Sequence, residues 1–295
     1  MSAALRSGAG WTLHHADYRE TLRLAAEQGG CDLVATSPPY CDARTYGAAV
    51  SWGDADYAAL GDAVWAALKP GGHALINVDA PVRDWTRDGR GTERGMHPWR
   101  LMLDWHDRIG FRVPDQLVFG RMGQPGFWPM GFRRDHEPLL WFQKPGSGYF
   151  SHISDQATGA GGGVRTRRNK DGTKTSQTNI IPQATKYRGT LWQYGVCGNG
   201  HTGAPDIEAA DHPARWPFRL ADDIVRCFCP PAGLICDPFT GAGTTAAAAI
   251  ANGRRFIGGD LYARNDGRRW IDIAAEILNE RQRQQSLFPP ILGAV

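Results

Sequence analysis

Hydrophobic positions along the chain fall into short runs broken by glycine and proline, and the runs alternate between strand-like and helix-like spacing. Residues 11–15 read as a strand and lead into a helix-like stretch through residue 26. Residues 32–35 read as the end of a buried strand, apolar and β-branched at Val34, with Gly29 and Gly30 just upstream. An Ala-rich amphipathic helix over 57–68 ends at Lys69-Pro70-Gly71-Gly72, a stop signal, and 73–78 is the next buried strand. A helix over 99–109 and strands over 111–119 and 138–142 follow. Late in the chain come a strand ending at Asp237, a Gly-rich turn, an Ala-rich helix over 245–251 and a strand over 255–259. Strands that alternate with helices predict an α/β fold with a parallel sheet.

Other stretches lack this periodicity. Residues 41–56 are polar and loop-like, a place for a mobile flap over a ligand, and 80–95, rich in Arg, Asp and Gly, read as a loop. The character changes again at residue 144. From 144 to 200 the chain is rich in Gly, Ser, Thr and Asn. This stretch carries Lys144, Arg165, Arg167, Arg168, Lys170, Lys174, Lys186 and Arg188 against only Asp155 and Asp171. The whole chain has a net charge of +3, so the rest is net negative and the basic excess sits in this one segment. Such a concentration fits contact with nucleic-acid phosphates, and Asn169, Gln177, Asn179 and Gln183 add groups able to read base edges. A solvated insertion with a flexible linker at 159–163 is the plainer reading.

At 295 residues the chain suits one large domain or a core with an insertion. The first eleven residues show no basic stretch followed by an apolar one. No run approaches the roughly 18 apolar residues of a membrane span. Six cysteines at irregular spacing predict no disulfide framework. Cys227 and Cys229, or Cys197 near His201, do not give paired metal-ligand spacing, so no metal is expected. The expectation is a reduced, soluble, cytoplasmic protein without a membrane segment.

Candidate chemistry starts at Thr36-Ser37-Pro38-Pro39-Tyr40. Two consecutive prolines permit neither helix nor continued sheet pairing, so the turn is stiff. It holds the Ser37 hydroxyl and nearby carbonyls at the carboxyl edge of the sheet, where open α/β folds place ligands. An exocyclic amine on a nucleobase is a poor nucleophile because its lone pair is delocalised into the ring. Acceptors aimed at its N–H bonds, the Ser37 oxygen and the Pro38 carbonyl, favour the pyramidal nitrogen that attacks, and such preorganised groups are typically worth a few kcal/mol each. Tyr40 is placed to stack on a flipped base. A structural Pro-Pro turn is the alternative, which puts the weight on a second site.

That site is the strand, Gly-rich turn and helix around Asp237-Pro238-Phe239-Thr240-Gly241-Ala242-Gly243-Thr244-Thr245. Gly241 and Gly243 let backbone approach a ligand closely, and the helix start offers unpaired N–H groups. Asp260, ending the next strand, is placed for a ribose diol. No Lys follows Gly243, which excludes a phosphate-cradling P-loop. Gly241-x-Gly243-x-x-Ala246 matches the dinucleotide fingerprint loosely, so an NAD dehydrogenase stays a rival, one that leaves the Ser37-Pro38-Pro39-Tyr40 turn unexplained.

Thr36-Ser37-Pro38-Pro39-Tyr40 resembles the catalytic motif of amino-DNA methyltransferases, and Asp237-Pro238-Phe239 with its glycines resembles their S-adenosylmethionine motif. Arg133-Arg134-Asp135-His136-Glu137 before Leu139-Leu140-Trp141-Phe142 resembles a late motif of the group. There His136 is a candidate neighbour of the flipped base, or His136 and Glu137 organise a strand entry. The segment from His212 to Leu220 resembles the motif that completes the cofactor pocket, with a core role for Trp216 and Phe218 as the alternative. The order, catalytic turn first and cofactor half last, is the permuted arrangement of the β group.

The resemblance spans about residues 11–278. It implies a Rossmann-like, seven-stranded, mostly parallel sheet with helices on both faces. Residues 1–143 would be the catalytic half, 144–205 an inserted target-recognition region and 206–295 the cofactor-binding half. Ser37, Pro38, Pro39 and Tyr40 would be catalytic. Asp17, Thr36, Asp237, Pro238, Phe239, Gly241, Gly243, Thr244, Thr245 and Asp260 would bind S-adenosylmethionine, with Asp17 near the adenine or, equally, a helix cap. Arg165, Arg167, Arg168, Lys170, Lys174, Lys186 and Arg188 would meet double-stranded DNA.

Serine in the first motif position leans towards cytosine N4, with adenine N6 the runner-up. Cytosine C5 chemistry needs a Pro-Cys nucleophile that the chain lacks. A DNA-binding protein that has lost catalysis is a rival from another class, and RNA in place of DNA is a further alternative. The resemblance admits a cognate restriction endonuclease and a homodimer, neither of which the residues specify.

Overall fold

The computed structural model describes residues 5–40, 52–79, 82–84, 92–122, 132, 135–156, 165–177, 184–195, 215–264 and 266–287. The flap expected at 41–56 falls mostly outside them, as do the linker at 159–163, Asn179, Gln183, Arg133, Arg134, Cys197, His201 and residues 212–214. The chain forms two compact units, Met1–Ser151 with Thr190–Val295, and His152–Gly189. Among the described residues no helix is long and apolar enough to cross a membrane.

The larger unit begins with β1 (Leu5–Gly8), β2 (Trp11–His14), α1 (Tyr18–Glu27) and β3 (Cys31–Thr36). Then come α2 (Asp54–Ala67), β4 (Leu68–Asn77) and a small antiparallel pair, β5 (Val82–Asp84) with β6 (Thr92–Arg94). α3 (His97–Asp104) continues as a π-helical stretch at Trp105–Ile109, before β7 (Gln116–Met122) and β8 (His136–Gln143). The smaller unit holds two short antiparallel pairs, β9 (Ser154–Gln156) with β12 (Thr185–Tyr187), and β10 (Arg165–Arg168) with β11 (Lys174–Gln177). The chain then returns as β13 (Leu191–Gly195), α4 (Phe218–Phe228), β14 (Leu234–Asp237), α5 (Thr244–Ala251), β15 (Arg255–Gly259) and α6 (Trp270–Leu287).

One nine-stranded sheet runs in the order β1-β2-β15-β14-β3-β4-β8-β7-β13. Its centre, β2 through β4, is parallel; β8 runs against both its neighbours, and β1 runs against β2. The sheet has two strands more than the seven expected. β1 is exposed throughout and carries no alternation to read, and β13 pairs parallel to β7 from within the segment that reads as aperiodic.

Central strands are fully covered: Leu33, Val34, Ala35, Ile235 and Cys236 are each 0% exposed. Burial on both faces is what turns their pattern into continuous apolar runs. α1 and α5 both pack on β14 and β15 without packing on each other to the same extent, as helices on opposite faces do. α1 owes its start to Asp17, whose carboxylate accepts from the Glu20 N–H at 2.9 Å, and its buried face to Tyr18, Thr21, Leu22 and Ala25.

From β3 the chain crosses by α2 to β4 on one side; from β14 it crosses by α5 to β15 on the other. The connections diverge between β14 and β3, so a crevice opens at their carboxyl ends. Both motifs singled out by sequence leave the sheet there.

β15 meets α1 closely. A Cβ on Gly259 would overlap the buried Thr21 hydroxyl, which donates to the Asp17 carbonyl at 2.9 Å. Gly259→Ala is expected to destabilise the protein by about 1–3 kcal/mol, read as a fall in melting temperature. Adding Thr21→Ala should recover part of that loss; no recovery would mean that this contact is not the cause.

Candidate functional site

The two motif ends are joined by a hydrogen bond. Thr36 Oγ1, at the end of β3, donates to Asp237 Oδ1, at the end of β14, at 2.6 Å. The same oxygen accepts from the Phe239 N–H at 3.1 Å, and the Thr245 hydroxyl also serves this carboxylate. Beyond it, Gly241 and Gly243 take positive φ of 49° and 82°. Gly243 starts α5 in the left-handed region, and a Cβ there would lie 2.9 Å from Ala274 Cβ, so both its conformation and its packing require glycine. Asp260 closes the turn from beneath, accepting from the Gly241 N–H at 2.8 Å and the Tyr262 N–H at 2.7 Å. The diol-binding oxygens expected from sequence thus also serve as backbone anchors, each with a second lone pair for a further donor.

Burial pushes both carboxyls up to about 6, Asp237 against the hydrogen bonds from Thr36, Thr245 and Phe239, and Asp260 against those from Tyr262 and Gly241. A raised acid in the folded state means the fold binds that proton more tightly than the unfolded chain does. Its stabilising effect is complete below about pH 4 and is lost as pH rises through about 6. Relative to Asp260→Asn, the native protein should therefore lose up to about 3 kcal/mol of stability between those values. Chemical denaturation of both proteins at several pH values checks this, and parallel pH profiles would refute it.

The proline turn is held from three sides. Tyr57 of α2 donates to the Pro39 carbonyl at 2.9 Å. Ser37 Oγ donates to the Tyr40 hydroxyl at 3.3 Å. The Tyr40 hydroxyl in turn lies 3.0 Å from Glu137 Oε2 and 3.1 Å from Asn77 Oδ1. Asn77 accepts from Trp216 Nε1 at 3.0 Å and donates to the Pro138 carbonyl at 3.0 Å, and Arg121 pairs with Glu137 Oε1 at 2.8 Å. Within 36–40 only Ser37 keeps more than residual exposure; Thr36, Pro38, Pro39 and Tyr40 are buried.

Sequence reasoning left this network largely unread. Glu137 is 5% exposed and points inward, whereas His136 is half-exposed beside Asp135, 3.0 Å away. Trp216 is buried with its indole N–H on Asn77, so it packs and anchors at once. Asn77 was missed. The available signal was a polar residue at the end of each of two apolar strands, Asn77 closing β4 and Glu137 opening β8.

An aromatic wall stands beside the glycine turn. Phe239 stacks on Tyr18 with ring centroids 5.6 Å apart and meets Trp52 edge-on at 5.3 Å; Trp52 lies 5.6 Å from Tyr57. Asp17, one residue before Tyr18, serves as the cap of α1. Thr244 is the first residue of α5, and Pro238 is buried directly after Asp237.

The basic candidates Arg165, Arg167, Arg168, Lys170, Lys174, Lys186 and Arg188 all belong to the smaller unit. On the β10–β11 hairpin Arg168 lies opposite Lys174, a like-charge pair that an anion would relieve. Arg188 is instead engaged by Asp155 at 2.8 Å. Lys144, counted with the basic excess, belongs to the larger unit and donates to the Trp65 and Leu68 carbonyls at the end of α2.

A family profile described as DNA methylase matches residues 31–265. The orphan methyltransferase M.BamHII of Bacillus amyloliquefaciens is 25% identical over 259 residues, covering 85% of this chain and 90% of that protein. Among solved structures, PvuII DNA methyltransferase (cytosine-N4-specific) matches 94% of both chains with a TM-score of 0.59 at 17% identity. The M1.HpyAVI–SAM complex matches 91% of this chain and 99% of that one with a TM-score of 0.56 at 18% identity. At these identities the structural likeness shows a common fold.

Proposed function

Because the chain belongs to the DNA methylase family, we propose that it transfers a methyl group from S-adenosylmethionine to the exocyclic N4 amine of a flipped cytosine in double-stranded DNA. The observation that carries the reading is the 2.6 Å bond between Thr36 and Asp237. It seats a turn suited to holding an amine directly beside a glycine loop suited to a nucleoside.

The residues at the crevice fit S-adenosylmethionine. Buried Asp237 and the α5 start, with Thr244 and Thr245, would take the charged methionine end. Phe239 would pack on the cofactor, and Asp260 would accept from the ribose hydroxyls. The neighbour bound to SAM supports this choice of cofactor. When bound, S-adenosylmethionine supplies an electrophilic methyl on its sulfonium.

The protein's own contribution is to orient the acceptor. Ser37 Oγ and the Pro38 carbonyl accept the two amine N–H bonds and draw the nitrogen lone pair out of the ring. Tyr57 keeps the turn fixed through the Pro39 carbonyl at 2.9 Å. Water exclusion by the buried prolines strengthens those contacts. Tyr40 would stack on the base, which requires its ring, 6% exposed here, to be uncovered first. Serine at position 37, together with the cytosine-N4 neighbour, favours N4 over adenine N6.

The smaller unit is the DNA-contacting region in this reading. Replacing Arg168, Lys170 and Lys174 together by Ala should weaken DNA binding. The slope of log affinity against log salt should become shallower by roughly 2–3. An unchanged slope would remove these residues from the interface.

Mass spectrometry of nucleosides from DNA treated with the protein and labelled S-adenosylmethionine tests the assignment. Label in N4-methylcytosine is the expected result. Label in N6-methyladenine would overturn the base and keep the mechanism. No label beside measurable cofactor binding would favour an inactive DNA-binding protein or an RNA substrate.

A further inference from the structure

The chain Ser37–Tyr40–Glu137 runs from the rim of the crevice to the Glu137–Arg121 ion pair. The Tyr40 hydroxyl has one proton to give and, among the described residues, two acceptors nearby, Glu137 Oε2 at 3.0 Å and Asn77 Oδ1 at 3.1 Å. Asn77 is the weaker of the two, although its oxygen keeps a second lone pair. Its Oδ1 takes the Trp216 indole proton, and its amide donates to the Pro138 carbonyl, which fixes which end is oxygen. Glu137 offers a carboxylate whose other oxygen is paired with Arg121, and a charged acceptor outcompetes a neutral amide oxygen. The Tyr40 proton therefore goes to Glu137. Its oxygen then serves as an acceptor, and the Ser37 hydroxyl, 3.3 Å away, donates to it.

From this geometry we infer that Glu137 is a positioning residue for methyl transfer: acting through Tyr40, it turns the Ser37 proton inward, so that Ser37 presents only lone pairs to the target amine. The inference rests on the reading of Ser37 as an amine acceptor. A serine hydroxyl left to itself rotates, and in part of its population it points its proton at the amine, where it opposes the developing lone pair. The buried carboxylate removes that population. No atom is exchanged; the chain sets an orientation. Arg121 keeps the carboxylate in place from β7, and Trp216 and the Pro138 carbonyl fix the orientation of the Asn77 amide.

Glu137→Gln is the informative change, because a glutamine amide can donate where the carboxylate only accepts. It allows the Tyr40 proton to turn outward and the Ser37 proton to follow. Single-turnover transfer of labelled methyl to DNA should slow by about 10- to 100-fold, the range typical when an outer partner of a site is lost. Cofactor and DNA dissociation constants should stay near native values. In a Tyr40→Phe background the link is already cut, so Glu137→Gln should add little. Equal costs in both backgrounds would mark Glu137 as merely structural and overturn the inference, as would a native rate in the single variant.

A second measurement needs no change at residue 137. With 13C-labelled tyrosine, the Tyr40 Cζ resonance is assigned by its absence in Tyr40→Phe. In mixed H2O and D2O it should show the split signal of a slowly exchanging hydroxyl. A freely exchanging hydroxyl would overturn the inference, even if Glu137→Gln fails to fold. Native enzyme that labels adenine instead of cytosine would sink the base assignment alone, leaving the cycle fully interpretable.

Discussion

Ser37→Ala is expected to lower the single-turnover rate of methyl transfer by about 10²–10³-fold, the usual cost of deleting one preorganised polar group at a reacting centre. The change removes a single oxygen. Thr36 keeps its bond to Asp237, Tyr57 keeps the Pro39 carbonyl and Tyr40 keeps Glu137, so the turn stays in place. Binding of cofactor and DNA should accordingly remain near native, and the loss should appear in the chemical step. Rapid-quench kinetics with saturating enzyme separates the two. A rate within about threefold of native would mean that the Pro38 carbonyl suffices. The partial exposure of Ser37 among buried neighbours is why the effect concentrates on this residue.

Asp237→Asn should divide stability from function. At pH 8 the native carboxyl, pushed up to about 6 by burial, is ionised at a cost to the fold. A neutral amide avoids that cost and keeps an oxygen for Thr36 and the Phe239 N–H. The variant is therefore expected to be more stable than the native protein at pH 8, by up to about 3 kcal/mol, with the difference closing towards pH 4. The same change removes the negative charge proposed to face the methionine end. S-adenosylmethionine affinity should fall by about 100-fold, as when one partner of a buried charge pair is truncated. Calorimetric titration and thermal unfolding on the same samples read both effects. Native affinity in the variant would move Asp237 out of the cofactor site and leave it a structural hub.

Much of the sheet was legible because its central strands are buried on both faces. Residues 32–35 and 255–259 stand out as short apolar runs, bounded by Gly29-Gly30 and by Asp260, and the structure places β3 and β15 over them. Misreadings occur where long-range pairing overrides local chemistry. Lys69-Pro70-Gly71-Gly72 carries the marks of a turn, yet β4 begins at Leu68, with an irregular register against β3 and Gly71 at a φ of 81°. The apolar run at 111–119 suggests a strand from Phe111. Pro114 cannot donate to a ladder; the regular strand starts at Gln116, and Phe111 packs against Trp65 and Trp105 instead.

The candidate site divides in the same way. Its two motifs are local strings, a proline turn and a glycine turn, and each could be read whole. The network behind Tyr40 is assembled from residues 77, 121, 137 and 216, which lie on separate elements, so no single local string contains it. The hairpins of the smaller unit were hidden for another reason. Residues 165–177 are nearly all exposed where described, so neither face leaves a hydrophobic trace.

The bond between Thr36 and Asp237 spans 201 positions of sequence, and the strands that carry it are immediate neighbours in the sheet. During synthesis at about 5–20 residues per second, β3 waits roughly 10–40 s before β14 exists to pair with it. Throughout that interval one edge of a buried, largely apolar strand stands open on the ribosome, a template for wrong pairing. The crevice is thus among the last parts of the sheet to close, with only β15 still to be made. Premature termination between residues 40 and 234 would leave a chain with its proline turn but without the partner strand that seats it.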